Sequence, residues 1–153
     1  MLLRAAALAA VVPVLAACGG SEQPAATTSA LPPGCTVPEA RAIVVEFLRR
    51  PSFAPEPFFD VYASYESDGR KFVARAPARA LAHLRGRERL GERDRLIALR
   101  VGEEDVNHAR IRFDLTRAAP DFAERGIHNR LASGAGTLDC AHGKVAAWVM
   151  KGP

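Results

Sequence analysis

The chain has 153 residues, which suits one domain and is too short for two ordinary ones. Apolar residues make up 48% of it and charged residues 25%, a balance typical of globular proteins that excludes a disordered or fibrous chain. The formal net charge is +4, from 21 Lys and Arg against 17 Asp and Glu. The three cysteines are too few for a disulfide-framework scaffold, and no apolar run reaches the roughly 20 residues of a membrane-spanning helix.

The N-terminus has the pattern of a secretory signal. Arg4 is followed by twelve uncharged residues, and residues 15–18 read Leu-Ala-Ala-Cys. This resembles the lipobox of bacterial lipoproteins, in which the cysteine is diacylated and the signal is cut just before it. We therefore predict a signal peptide at 1–17 and palmitate-type acylation at Cys18. The alternative is an ordinary signal peptide with a cysteine there by chance.

The predicted acylation defines the rest of the organisation. Two acyl chains anchor a protein stably without a transmembrane helix, which would place this one in the bacterial cell envelope, on the extracytoplasmic side of the membrane. Residues 18–34 hold the lipidated cysteine and a Pro-, Gly- and Ser-rich segment that reads as a flexible tether. Residues 35–153 are then the single folded domain.

Two cysteines remain once Cys18 is assigned to the lipid. Cys35 and Cys140 lie near the two ends of the domain, and an exported protein meets an oxidising compartment. We predict a disulfide between them. The alternative is a reactive Cys140 thiol activated by His142, although such pairs are rarely adjacent in sequence.

The hydrophobic pattern predicts helices first and strands afterwards. A capping box at Thr36 and Glu39 opens a helix that ends before Pro51, and a second helix follows at 76–90. Alternating residues predict a strand at 58–66 with a turn at Asp68–Gly69. Further strands are predicted at 96–101, 106–117, 131–140 and 145–150. Short turns between these imply an antiparallel meander, and Gly134 and Gly136 suggest a bend or bulge. The fold class is therefore α+β.

This order of elements resembles the nuclear transport factor 2-like superfamily, which includes polyketide-cyclase-like proteins. The resemblance covers roughly 35–150 and rests on the helix ending near Leu48, the stretch 53–57, the Leu81–Leu84 helix leading into the strand at 96–101, and the closing strand. It implies N-terminal helices packed on a curved antiparallel sheet that forms a cone with a pocket. The second helix usual in the superfamily is replaced here by the proline-rich residues 51–57.

The superfamily contains both enzymes and proteins that only bind, so the fold does not settle function. Its enzymes place Asp, His or Tyr inside the cone. The strand at 106–117 presents only apolar residues inward, and His108 and Asp114 fall on its outer side. Asp60 and Tyr62 share a strand face and are weak candidates for an acid or base. The alternative for both is a solvated edge-strand face.

Other chemistry finds little support in the sequence. The four histidines show no metal-ligand spacing, Gly134-Ala135-Gly136 lacks the rest of a phosphate loop, and no cofactor or nucleic acid is expected. Residues 70–100 carry ten basic and three acidic groups. Such a basic surface could bind anionic lipid headgroups. The alternative interpretation is an ordinary solvated face with no partner. Its arginines are Arg79, Arg85, Arg87, Arg89 and Arg93.

We therefore expect an anchored binding or interaction module. The apolar inner sheet face suggests a small hydrophobic ligand, or packing on a partner or on a second copy in a homodimer. The alternatives are an isomerase- or dehydratase-type enzyme with a pocket acid or base, and a purely structural envelope protein.

Overall fold

The structure, a computed structural model, describes residues 31–49 and 60–151. The predicted signal peptide, the predicted lipidation site Cys18, most of the predicted tether and the proline-rich residues 51–57 lie outside the described residues.

The described chain forms three helices and one six-stranded sheet, which confirms the α+β class. The sheet order is β2-β1-β6-β5-β4-β3, and every neighbouring pair is antiparallel except β1 and β6, which are parallel. The helices are α1 (Val37–Arg49), α2 (Pro77–Arg89) and α3 (Pro120–Ala123). The strands are β1 (Val61–Tyr65), β2 (Lys71–Ala74), β3 (Arg93–Glu103), β4 (His108–Ala118), β5 (Arg130–Asp139) and β6 (Lys144–Met150).

Helix α1 begins at the predicted capping box. The backbone N–H and the hydroxyl of Thr36 donate to the Glu39 carboxylate, at 3.0 and 2.6 Å. These bonds satisfy a backbone donor that the helix start would leave exposed, and they hold the pKa of Glu39 below its usual value. The buried face of α1 packs on β3 and β6 through Ala40, Val44 and Phe47.

The meander from β3 to β6 confirms the predicted pattern of alternating strands. Ala109, Ile111, Phe113 and Leu115 are buried on the inner side of β4, and the residues between them are exposed or half-buried. Strand β6 lies between β1 and β5 in the sheet, which accounts for its apolar composition. Its Trp148 is fully buried and stacks on the Phe113 ring, with ring centroids 3.7 Å apart.

The two glycines of β5 are needed because other groups come very close to them. A Cβ on Gly134 would lie 2.3 Å from the tip of the Phe113 ring, and one on Gly136 would lie 2.2 Å from the Ala147 carbonyl oxygen. The bulge that the sequence suggested lies directly beyond them, where the β5–β6 register shifts between Thr137 and Leu138.

The Gly136→Ala variant should therefore be destabilised. The obstacle is a backbone carbonyl, so strands β5 and β6 must move apart, and we expect a loss of about 2 kcal/mol in the free energy of unfolding. Gly102→Ala is the control, because no atom lies within 4 Å of a Cβ built there. Urea denaturation of both variants measures the difference, and equal stability would contradict this account of β5.

Three elements differ from the sequence expectation. Strand β2 was not predicted, because its four residues are too few to establish an alternating pattern. Strand β3 runs from Arg93 to Glu103 and so extends beyond both ends of the predicted 96–101, since charged residues occupy its ends. The predicted loop at Pro120 contains the short helix α3, whose Phe122 is fully buried.

The predicted disulfide between Cys35 and Cys140 is confirmed, with the two Cα atoms 5.2 Å apart. It excludes the alternative of a reactive Cys140 thiol. The bridge joins the start of the domain to the end of β5. Gly34 precedes it with φ +81°, and a Cβ there would meet the Cys140 carbonyl oxygen at 2.7 Å, so this close approach requires glycine.

Candidate functional site

A pocket of about 350 Å³ opens between the end of α1, the second half of α2 and the start of β3. Apolar side chains and charged side chains both line it, so it is not the purely apolar pocket that the inner sheet face suggested. The described lining residues are Leu48, Arg49, Tyr62, Leu84, Arg87, Glu88, Glu92, Arg93 and Asp94.

Asp94 is the most unusual group in this pocket. It lies on β3 directly opposite Arg117 of β4, and its side chain is only 15% exposed. Its Oδ1 is buried and has no hydrogen-bond partner among the described residues, since the Nε of Arg117 lies 3.7 Å away. Burial, together with the negative charge of Glu92, raises the pKa of Asp94 to about 8. This shift favours the protonated, neutral form of the carboxyl group.

Glu92 stands beside Asp94 and binds two buried arginines. Arg117 donates from its Nε to the Glu92 Oε1 at 2.8 Å, and from its Nη1 to the Tyr65 carbonyl oxygen at 2.8 Å. Arg87 donates from its Nε to the other Glu92 oxygen. Because one carboxylate cannot neutralise two guanidinium groups, other acids must take part.

The second half of this network comes from α3 and the β1–β2 turn. Arg87 forms a two-pronged bond to Asp121, at 2.8 and 3.2 Å, and lies 3.4 Å from Glu66. Burial alone would lower the pKa of Arg87, but Asp121 and Glu92 raise it above its ordinary value. The Arg87 and Arg117 guanidinium groups lie over the buried Phe122 ring, 5.2 and 5.1 Å from its centre. Both guanidinium groups therefore hold positive charge at the pocket. Arg87 is one of the lining residues, and Arg117 lies opposite Asp94 in the sheet.

Two further buried groups adjoin the site. Burial raises the pKa of Tyr62, so its phenol stays protonated at physiological pH. His83 stacks on Phe72 with ring centroids 3.9 Å apart. Burial, followed by the charge of Arg87, lowers the pKa of His83 to about 4. Its Nε2 is buried without a hydrogen-bond partner in the described part of the chain.

The two sequence candidates, Asp60 and Tyr62, are separated by the structure. Tyr62 is buried and lines the pocket, whereas Asp60 is exposed just before β1 and is not among the lining residues. Sequence reasoning missed Asp94, Glu92 and Arg117. A usable signal existed for Arg117, because it continues the inward phase of β4 two residues after Leu115.

The structure places four of the five arginines of the predicted basic surface on the exterior of the domain. Arg79, Arg85, Arg89 and Arg93 are exposed. Arg87 is a correction, because its side chain is 8% exposed and is held by Glu92, Asp121 and Glu66. It lies on the inner face of α2 together with Ala80 and Leu84.

The described residues contain neither a membrane-spanning helix nor a cluster of metal ligands. None of the helices within 31–49 and 60–151 is long and apolar enough to span a bilayer. The same residues contain no group of three or more His, Cys, Asp or Glu side chains arranged to hold a metal ion.

The raised pKa of Asp94 predicts a specific pH dependence of stability. The unfolded chain releases this proton near pH 4 and the folded chain near pH 8, so stability falls as the pH rises between them. His83 acts in the opposite direction, but only between about pH 4 and 6.5. From pH 6.5 to 8 we expect a loss of about 2 kcal/mol, at about 1.4 kcal/mol per pH unit.

The Asp94→Asn variant should lose this slope, because the amide has no proton to release in that range. Urea denaturation at pH 6.5 and 8 measures it, and Asp60→Asn is the matched control that should keep the wild-type slope. Identical slopes in all three proteins would contradict the assignment to Asp94.

The similarity of this chain to known proteins is structural. No protein-family model matches the chain, and no curated protein matches it. Among solved structures it is similar to a protein of Xanthomonas campestris pv. campestris that is described as a "putative polyketide cyclase". The two share 15% identity and superpose with a TM-score of 0.37, over 72% of this chain and 87% of that one.

Proposed function

We propose that this protein is a lipid-anchored, extracytoplasmic binding protein that holds a small molecule in the pocket at Asp94. The observation that carries the proposal is the buried Asp94 carboxyl group in an open pocket, with one oxygen lacking a hydrogen-bond partner among the described residues. A buried polar atom without a partner costs about 1–3 kcal/mol, which a ligand would recover if the pocket side chains shifted enough to expose the atom to it.

The pocket chemistry defines the class of ligand. A hydrogen bond between Asp94 and Glu92 favours the protonated Asp94, so the Asp94 proton is directed to Glu92 and Oδ1 remains an acceptor. The matching ligand group is a hydroxyl or an amine. Leu48, Leu84 and the Tyr62 ring offer contacts to an apolar body, and Arg49 and Arg93 are exposed donors. The ligand is thus a small, partly apolar molecule that carries a hydrogen-bond donor.

The experiment is native mass spectrometry of the purified chain, with Cys18→Ser in every protein so that no acyl chain is present. We expect a co-purifying small molecule that is retained in Asp60→Asn and lost in Asp94→Asn. Finding no bound molecule, or finding it undiminished in Asp94→Asn, would overturn the proposal.

Membrane anchoring and superfamily membership belong to the same proposal. The Leu-Ala-Ala-Cys motif at 15–18 supports acylation of Cys18, and labelled palmitate should appear on the wild-type chain but not on Cys18→Ser. The order of elements supports a nuclear transport factor 2-like cone, because a helix, a hairpin, a second helix and an antiparallel meander follow one another as the resemblance implies. Here much of the interior between helix and sheet is filled by Phe47, Phe113 and Trp148.

A second candidate function is acid–base catalysis, which the pKa of Asp94 favours. A carboxyl group that titrates near pH 8 can give or take a proton at physiological pH, as enzymes of the isomerase or dehydratase kind require. The acid would then be Asp94 and not Asp60. Prolonged incubation of the co-purified ligand with fresh protein distinguishes the two functions. A binding protein returns it unchanged, whereas an enzyme converts it at a rate that changes with a midpoint near pH 8.

A further inference from the structure

Three exposed arginines form a second basic surface, on the outer face of the sheet. Arg100 of β3 lies directly opposite Arg112 of β4, and Arg110 lies opposite Gly102. All three are exposed, and in the described part of the chain none of their side chains forms a hydrogen bond or an ion pair. We call these three residues the sheet arginines.

The sheet arginines line a shallow groove of about 300 Å³. Gly102 has no side chain, so the space opposite Arg110 stays open. Among the described lining residues the only acid is Glu103. The neighbouring acids are Asp114, two residues from Arg112, and Glu104, whose carboxylate accepts a bond from Thr137 at 2.9 Å. None of these acids forms an ion pair with a sheet arginine in the described part of the chain, so the three guanidinium groups remain exposed positive charges.

This arrangement is unfavourable for the isolated domain. Like charges directly opposite each other on neighbouring strands are destabilising, and the exposed positions 100 and 112 would accept many other residues. An anionic partner would convert this repulsion into attraction.

The disulfide places the start of the domain at the same end of the sheet. Cys35 is joined to Cys140, and Thr137, three residues before Cys140, lies directly beside Arg110. Three strand residues span about 10 Å, so the N-terminal segment joins the domain close to the sheet arginines. Arg93, at the start of β3, lies seven residues before Arg100 and so roughly 23 Å away from it along that strand.

We propose that the sheet arginines bind an anionic phospholipid membrane and so orient the domain on it. The proposal uses the anchoring part of the proposed function, since the 13 residues from Cys18 to Leu31 can reach at most about 45 Å. It differs from the basic surface predicted from sequence, whose arginines lie on α2 and at the start of β3. Arg79 lies over the Phe72 ring, and Arg89 bonds the Arg85 carbonyl oxygen.

The test is vesicle flotation at low salt, using the full chain with Cys18→Ser so that no acyl chain contributes. Binding is measured on phosphatidylglycerol vesicles and on neutral phosphatidylcholine vesicles. The apolar N-terminal residues bind both kinds of vesicle, so only the difference between the two measurements reports on the arginines. The readout is the preference for anionic vesicles. Replacing all three sheet arginines by Gln should reduce it about a hundredfold, at roughly fivefold per arginine.

A matched variant with the same loss of charge, Arg79→Gln, Arg85→Gln and Arg89→Gln together, should keep most of the preference. Preference lost only in this α2 variant, lost equally in both, or retained in both would each overturn the proposal. Thermal unfolding is the folding control, and the sheet variant should be at least as stable as the wild type because a repulsive pair has been removed. Since no acylated protein is used, a negative result is distinguishable from failure of the anchor, and pocket binding is measured separately.

Discussion

Replacing both Cys35 and Cys140 by Ser is expected to lower the free energy of unfolding by about 4–5 kcal/mol. The bridge joins residues 105 positions apart and so removes much of the freedom of the unfolded chain. It also closes the start of the domain onto β5, where Cys35 and Cys140 are both buried. Urea denaturation of the purified proteins under non-reducing conditions measures the loss.

Cys18→Ser is the matched control, because it makes the same chemical change outside the described domain. We expect its stability to equal that of the wild type. Treating the wild type with a reductant should reproduce the double variant without any mutation. A double variant within 1 kcal/mol of the wild type would contradict a structural role for the disulfide.

Replacing Arg117 by Met is expected to cost about 3–5 kcal/mol, the usual result of removing one partner from a buried ion pair. Met preserves much of the length of the side chain, so the loss is mainly one of charge and hydrogen bonds. Glu92 would lose the Arg117 guanidinium, and the Tyr65 carbonyl oxygen would lose its donor. The side chain is only 2% exposed, so water cannot readily replace it.

Arg112→Met is the control for this variant. It lies on the same strand, five residues away, but on the exposed outer face. We expect a change below about 0.5 kcal/mol there, as is usual for an exposed position. Should the two variants lose the same stability, the buried charge network would not be the cause.

Much of the fold could be predicted from residue patterns. Strand β4 alternates over eleven residues, and helix α1 has both a capping box and an apolar stripe, so each element carries its own signal. The disulfide followed from the small number of cysteines. Strand β2 and helix α3 could not be found this way, because four residues cover only two repeats of a strand or about one turn of a helix, and their formation depends on neighbours in the sheet and core.

The candidate site was much harder to predict, for a physical reason. A charged residue is normally placed at the surface, and it is buried only when partners of opposite charge accompany it. The partners of Arg87 and Arg117 come from three separate places in the sequence, at Glu66, Glu92 and Asp121. The pKa of Asp94 depends on that assembly and on burial, neither of which is visible in the residues around it.

The most direct test of the central claim is a titration of the Asp94 carboxyl carbon by nuclear magnetic resonance, with the signal assigned by its absence in Asp94→Asn. We predict a midpoint near pH 8 in the wild type, because the group is buried beside Glu92. A midpoint near pH 4, the ordinary value for an aspartate, would show a charged carboxylate in the pocket at neutral pH and contradict the account.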